Sequence, residues 1–292
     1  MPVTVRYLTD PACPWSWGAE PELRALLWEF GDELRVEWVM GGLARAIGPD
    51  YRDSEGAIGA GSDPLADLTA QWLEVAATTG MPIDPRLWSE APIASTYPAG
   101  QAVKAASEQG PGPAGAYLRA LREGLMVGRR KLDHVAALID VAREAGLDVE
   151  RFRIDLGSHA ITEAFAADLD EVRDVPEPAR EAGQVRTTEG RERLSFPSAV
   201  FVGEDGAREA VWGRPGPCAL RDAALAAGAM PQRPERPAPL QALEAFGRCA
   251  TRELEVLSGL ARPVLLAELW GAAREWRVRA EPALTGTLWE LA

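Results

Sequence analysis

The sequence predicts a mixed α/β chain with a helical insertion, followed by a small second domain of helices and strands. Three observations predict this class. A strand, a helix and another strand open the chain, amphipathic helices without intervening strands cover about residues 50–190, and two more strands and a helix end near residue 228. A proline-rich segment then precedes the second domain.

The opening of the chain has the pattern of a β–α–β unit. VTVRYL (3–8) is rich in β-branched and aromatic residues, and LRVEWVM (34–40) alternates between apolar and polar residues. Between them, Leu23, Leu26 and Phe30 recur at helical spacing. Because such a crossover joins parallel strands, we expect the two strands to be parallel.

The middle of the chain predicts helices. A glycine-rich stretch, GAIGAGSDP (56–64), lacks the Lys-Ser/Thr end of a phosphate-binding loop and predicts a mobile loop. We therefore expect a helical module inserted into an α/β scaffold. Its predicted helices cover residues 64–80, 99–109, 114–128, 132–146 and a tract at about 149–183.

Strand patterns return in PSAVFVG (197–203) and REAVWG (208–213), which flank a short EDG turn and predict an antiparallel hairpin. PGPCALRDAALAAG (215–228) predicts the helix that follows. Residues 229–239 contain four prolines and no periodicity, which predicts a semi-rigid linker. We therefore expect the first domain to end at residue 228.

Residues 1–228 form the predicted first domain and residues 240–292 the second. The second domain has the element order of a winged helix. A winged helix can place its longest helix in a DNA groove. Here six arginines are offset by seven acidic residues, so there is no positive surface for phosphate contacts. The composition favours a protein–protein or packing role over DNA binding.

The whole chain has 292 residues and a formal net charge of −13. Dominant nucleic-acid and anionic-membrane binders need a positive field, so we expect neither partner. No window has the roughly 18 uninterrupted apolar residues of a membrane span, and no secretory signal is visible. With only three cysteines, an odd number, we expect free thiols and a cytoplasmic location.

The motif that carries chemistry is Cys13-Pro14-Trp15-Ser16, where the first strand gives way to a helix. A helix N-terminus stabilises a thiolate, so we expect the pKa of Cys13 to lie below the free value of about 8.5. Since thiolates attack disulfides, Cys13 is the candidate nucleophile. The alternative is a buried, inert cysteine beside a tight turn.

Together with the strand before it, DPACPWSWG (10–18) resembles the active-site segment of the DsbA family in the thioredoxin superfamily. The element order extends the resemblance over residues 1–228. The segment is most similar to cytoplasmic branches, which include FrnE-like dithiol oxidoreductases and an adaptor of the ClpXP protease. The resemblance implies a thioredoxin-like fold with a helical insertion, here followed by the winged-helix-like α+β domain.

The resemblance also implies further site residues. Thioredoxin-like folds place a cis-proline opposite the active-site cysteine, and Pro197 stands in that place after Phe196. It would shape a substrate groove, with Pro14, Trp15 and Phe196 as substrate-binding residues. The alternative is an ordinary proline at the start of a strand.

Ser16 stands where the family has its second cysteine. A dithiol cycle needs a second thiolate to release the mixed disulfide, so this motif cannot complete one. We expect the Ser16 hydroxyl to donate a hydrogen bond to the Cys13 thiolate and to keep its pKa low. Cys218 and Cys249 are expected to be small buried residues rather than resolving thiols.

Three functions follow, and the sequence leaves open whether the site turns over. The first is a thiol–disulfide oxidoreductase that acts as a monothiol on protein or low-molecular-weight disulfides, with an external thiol such as glutathione as co-substrate. The others are a non-catalytic adaptor and a glutathione-dependent transferase or isomerase, whose relatives have serine at the first motif position. No metal is expected, since His134 and His159 lack neighbours at ligand spacing.

Overall fold

The computed structural model describes residues 2–48, 51, 63–214 and 216–292. The predicted loop at 56–64 therefore lies outside the described residues, apart from Asp63 and Pro64. In chain order the elements are β1 (Val3–Thr9), α1 (Pro14–Gly18), α2 (Glu20–Phe30), a 3₁₀ turn (Gly31–Glu33), β2 (Leu34–Met40), α3 (Pro64–Thr79), α4 (Leu87–Glu90), α5 (Tyr97–Ser107), α6 (Pro111–Met126), α7 (Val135–Glu144), α8 (Val149–Leu156), α9 (His159–Arg173), α10 (Glu177–Glu181), β3 (Val185–Thr188), β4 (Arg191–Leu194), β5 (Ser198–Val202), β6 (Arg208–Val211), α11 (Pro217–Ala226), α12 (Pro239–Phe246), β7 (Cys249–Ala250), α13 (Thr251–Ser258), α14 (Arg262–Arg274), β8 (Val278–Ala283) and β9 (Gly286–Leu291).

The central sheet has four strands in the order β2-β1-β5-β6. β1 and β2 are parallel, with Val3 opposite Leu34, and β5 runs antiparallel to β1 with Leu8 opposite Ser198. β6 closes an antiparallel hairpin with β5. The predicted β–α–β opening, the late hairpin and the thioredoxin-like fold class are confirmed.

The first helix is interrupted just after the motif. Ala19, with φ −97° and ψ 0°, separates α1 from α2. Pro21 has no N–H to donate to the carbonyl four residues earlier, that of Trp17, so one continuous helix would lose a bond there. The motif therefore lies on a short helix of its own.

The helical insertion follows the predicted positions closely, with α3 beginning at Pro64 as expected. The tract predicted at about 149–183 consists of α8, α9 and α10. Asp148 and Ser158 begin the first two by accepting N–H bonds from Arg151 and Ile161 with their side chains.

The hairpin β3–β4 was not predicted from the sequence. Its two-residue loop is Glu189-Gly190, with φ +52° and +74°. Positive φ at both loop positions is the geometry of a type I′ turn, for which glycine is favoured. The β-branched residues Val185, Thr187 and Thr188 before Glu-Gly were the available signal.

Within the described part of the chain, the buried apolar residues form three clusters. The largest lies between the central sheet and the helices, the third fills the C-terminal unit, and the second surrounds the start of α1. The buried members of this second cluster are Leu8, Cys13, Val39, Leu43, Val172, Val175, Ala179, Leu194, Phe196 and Val200.

The C-terminal unit, residues 239–291, is a small α+β structure with an antiparallel sheet in the order β7-β9-β8. The segment before it, predicted as a linker, is hydrogen-bonded to α2. The carbonyl of Glu29 accepts the N–H groups of Gln232 and Arg233 over 2.8 and 2.9 Å. The indole of Trp28 donates to the carbonyl of Glu235 over 2.8 Å. The position of the domain boundary stays a prediction.

Among the described helices, none is by itself long and apolar enough to cross a membrane. Only α13 and α14 taken together have that length and composition, and the two are bent by 112°. The cytoplasmic location stays a prediction.

Candidate functional site

Cys13 is the N-cap residue of α1, as the sequence predicts. Its backbone is extended, with φ −77° and ψ 113°, and Pro14 opens the helix. Proline suits this place because the first helical N–H has no partner within the helix. The Sγ atom of Cys13 accepts the backbone N–H of Ser16 over 3.4 Å. The sulfur therefore takes up one of the free amides of the helix start.

The Ser16 hydroxyl does not take the role expected of it. Its oxygen is buried, and among the described residues it has no hydrogen-bonding partner. The contact to Cys13 is made by the main chain instead. Any residue other than proline would supply the same backbone N–H. The serine hydroxyl itself forms no hydrogen bond to the sulfur of Cys13.

Asp10 holds the loop that leads to Cys13, and sequence reasoning did not single it out. Its carboxylate accepts the N–H groups of Ala12 and Leu43 over 2.8 and 3.0 Å and the hydroxyl of Thr96 over 3.4 Å. Its carbonyl accepts the N–H of Cys13 over 3.2 Å. The Asp-Pro pair just before the motif was the signal for this turn.

Burial raises the pKa of the Asp10 carboxyl to about 6, although its amide hydrogen bonds and the nearby Arg193 and Arg122 act in the opposite direction. Mild acid therefore protonates the Asp10 carboxyl. Its two oxygens accept hydrogen bonds from three separate segments of the chain.

Phe196 belongs to the second buried cluster together with Cys13, and Pro197 follows Phe196 in the chain. The peptide bond between them is cis. The Phe196 ring packs on Gly41, where a Cβ atom would overlap it, and the guanidinium of Arg193 lies 4.5 Å from the ring centroid. Phe196 is 2% exposed, so it does not line an open groove, unlike the substrate-binding residue expected at this position.

The candidate site is closed. Cys13 is 2% exposed and Ser16 is fully buried, and Pro14 and Pro197 are buried as well. Residues of α9, α10 and β4 complete the cluster around the sulfur; they are Val172, Ala179 and Leu194. The unpredicted hairpin and the end of the insertion therefore contribute to the apolar cluster that contains the thiol.

Trp15 differs from the other predicted site residues, because its side chain is half-buried and they are buried. Its indole packs on the second cluster, as do Val185 and Trp212, and the guanidinium of Arg214 lies 5.1 Å from its ring centroid. We call these four residues the tryptophan rim. Aromatic and arginine side chains of this kind are enriched in protein interfaces.

The other two cysteines lie apart from this cluster. Cys249 is buried in the C-terminal core, where Arg24 donates an N–H to its sulfur over 2.9 Å and burial raises the pKa of its thiol to about 12. Cys218 is exposed near the start of α11. The expectation that Cys218 is buried is wrong, because Cys218 and Ala219 lie on the exposed side of α11, whereas Leu220 faces the core. Neither Cys218 nor Cys249 belongs to the cluster that contains Cys13.

No cluster of three or more His, Cys, Asp or Glu side chains could hold a metal ion within the described ranges. His134 precedes α7 and His159 opens α9.

Comparison with known proteins agrees with this architecture. A family model described as thioredoxin matches residues 7–175. The ClpXP adapter protein SpxH of Halalkalibacterium halodurans is 33% identical over 174 residues, which cover 60% of this chain and 55% of the relative. The chain thus spans about half the length of that relative. SpxH of Shouchella clausii is 26% identical over 295 residues, covering 99% of this chain and 88% of the relative.

Solved structures show the same fold. A protein disulfide isomerase-type structure from Nitrosomonas europaea superposes with a TM-score of 0.59 at 22% identity, over 77% of this chain and 97% of that one. The cytosolic disulfide reductase DsbM of Pseudomonas aeruginosa reaches a TM-score of 0.50 at 22% identity, over 71% and 88%. Because the thioredoxin family model matches more than half of the chain, the chain belongs to the thioredoxin family.

Proposed function

We propose that this protein is a protein-binding adapter built on a DsbA-like thioredoxin scaffold. The observation that carries the proposal is the burial of Cys13, which is 2% exposed and belongs to an apolar cluster with residues of α9, α10 and β4. A disulfide must approach the attacking sulfur, and a second thiolate must release the product. A buried sulfur with Ser16 as its motif partner meets neither requirement in this conformation.

The surface that remains available beside the site is the tryptophan rim. Trp15 offers a partly exposed ring and Arg214 an exposed cation stacked on it. Tryptophan and arginine at the centre of an interface often contribute most of its binding free energy. This supports partner binding without bond exchange.

The relatives named ClpXP adapters support the same function. We propose ClpXP as one partner and a protein that it degrades as the other, with the second partner bound at the tryptophan rim. Neither contact needs the thiol of Cys13.

The experiment uses the full chain as immobilised bait in three forms: wild type, Cys13→Ser and Trp15→Ala. We expect Cys13→Ser to capture the same client proteins as wild type, with or without reductant. Trp15→Ala should weaken capture by about tenfold or more, as for an interface residue that contributes over 1.4 kcal/mol. Each captured client is then incubated with purified ClpXP, and adding this protein should accelerate its degradation.

The matched control is Ile154→Ala, because Ile154 is a 73% exposed apolar residue on α8, an element separate from the rim. It should leave capture unchanged. Capture that disappears with reductant and in Cys13→Ser would contradict the adapter and indicate mixed disulfides.

A monothiol oxidoreductase is the second candidate, favoured by the position of Cys13 as the N-cap of α1. In that function the Cys13 thiolate attacks a disulfide, forms a mixed disulfide and releases one thiolate. An external thiol such as glutathione then attacks the mixed disulfide and regenerates Cys13 while forming a new disulfide. Intact mass after treatment with glutathione disulfide tests it: a reversible adduct on Cys13, absent in Cys13→Ser, would support the candidate.

A further inference from the structure

We propose that the C-terminal unit positions α1, and with it Cys13, by holding Trp17 from two sides. Glu253 and Thr285 are the positioning residues of this arrangement. The inference goes beyond the adapter function, since it concerns the geometry of the helix that carries Cys13 and holds for a binding or a reacting site alike.

The first contact runs from α13 through α6. Both carboxylate oxygens of Glu253 accept from Arg119, over 2.7 and 2.9 Å. The guanidinium of Arg119 lies 4.3 Å from the centroid of the Trp17 ring. Glu123 accepts from the Nε of Arg119 over 2.7 Å, and the two-point ion pair with Glu253 fixes the other two nitrogens. Glu253 therefore helps to set how the cation lies on the indole.

Glu253 is well placed to fix this geometry because it is itself fully buried and fully bonded. Its carboxylate also accepts the N–H of Ala250 over 2.6 Å and pairs with Arg24 over 3.2 Å. Arg24 lies on α2, so the same carboxylate joins the C-terminal unit to two elements of the first domain. Removing its charge would leave two buried guanidinium groups without their main counterion.

The second contact runs from the turn between β8 and β9. The Thr285 hydroxyl accepts the N–H of Ile83 over 2.7 Å and donates to the Ile83 carbonyl over 3.0 Å. The neighbouring carbonyl, that of Pro82, accepts the indole N–H of Trp17 over 2.9 Å. Thr285 therefore fixes the backbone of Ile83, and the adjacent residue Pro82 binds the indole of Trp17.

The segment between α3 and α4 is thus enclosed between α1 and the C-terminal unit. On one side Gly18 approaches Thr79 so closely that a Cβ atom on the glycine would overlap the threonine methyl group. On the other side Arg252 lies against Gly80. A shift of the C-terminal unit would be passed to α1 through these contacts.

A helix of five residues has few bonds of its own with which to resist such a shift. Trp17 is fully buried and is the large side chain by which α1 attaches to the body of the protein. Loosening either contact on Trp17 should let α1 move out and expose the sulfur of Cys13.

The experiment measures the rate at which iodoacetamide alkylates Cys13 in the native full-length protein, by mass spectrometry of the peptide that contains it. The variants are Glu253→Gln and Thr285→Val. We expect each to raise the rate about fivefold or more, the size of a modest coupling between sites. Thr285 is exposed, so Thr285→Val tests the proposal even where Glu253→Gln fails to fold.

Leu265→Val is the matched control, because it loosens the core of the same unit without touching either contact. It should change the alkylation rate by less than about twofold, whereas a purely structural effect would move all three variants with their stability. An unchanged rate in folded Thr285→Val, or an equal rise in Leu265→Val, would overturn the proposal. Either result is independent of whether Trp15 binds a client.

Discussion

The backbone N–H of Ser16 lies 3.4 Å from the sulfur of Cys13, while the hydroxyl of the same serine is buried and has no hydrogen-bonding partner within the described part of the chain. The second motif position therefore acts on the thiol through its main chain. The serine side chain cannot act as a resolving thiol, and its hydroxyl forms no hydrogen bond within the described residues.

Ser16→Ala should leave the protein as stable as wild type or stabilise it by about 1 kcal/mol, because burying an unpaired hydroxyl costs free energy that the methyl group avoids. Chemical denaturation monitored by circular dichroism measures the change. A loss of more than about 1 kcal/mol would mean that the hydroxyl does form a hydrogen bond in solution.

Ser16→Cys should restore a disulfide-forming pair. The two side chains lie on the first turn of α1, where the Ser16 amide already contacts the Cys13 sulfur. Under an oxidant, intact mass should show the loss of the two thiol hydrogens, and reductant should reverse it. Cys13→Ser in the same background is the control, and a pair that stays reduced would show that α1 holds the sulfurs apart.

Asp10 should make stability depend on pH. Its folded pKa is about 6 against an ordinary value of 3.8. Between these values the folded state keeps the proton that the unfolded state releases, so the free energy of unfolding falls as pH rises through this window. The carboxyl alone accounts for about 3 kcal/mol of that fall.

Asp10→Asn should remove this component, so the difference in unfolding free energy between wild type and variant should change by about 2.4 kcal/mol from pH 4 to pH 7. Urea titrations at each pH measure it. The constant loss of one acceptor in the amide shifts the whole curve and does not affect the slope. A pH-independent difference would contradict a raised pKa.

The three thiols should react in the order of their burial. Cys218 is exposed and should be alkylated at once, whereas Cys249 is buried, with its thiol pKa raised to about 12, and should react only in denaturant. Cys13 should fall between them. Peptide mapping after timed alkylation at pH 8 gives the order, and native labelling of Cys249 ahead of Cys218 would refute it.

Much of the fold could be predicted because it rests on local patterns. The alternation of LRVEWVM defined β2 to the residue, and the Asp-Pro pair at 63–64 marked the start of α3. The hairpin β3–β4 could not be predicted with the same ease, because its strands carry charged residues on their exposed face and only its Glu-Gly loop marks the turn.

The order of elements, the place of Cys13 at a helix start and the lack of a second motif cysteine could be read from the sequence, since each is a property of neighbouring residues. The packing of distant segments decided that the thiol is buried, that Phe196 faces the core and that Cys218 faces solvent. It also decided that Glu253 and Thr285 reach Trp17 through partners more than 130 residues away in sequence. Burial and long-range ion pairs depend on which distant segments pack together, and patterns of neighbouring residues do not predict that packing.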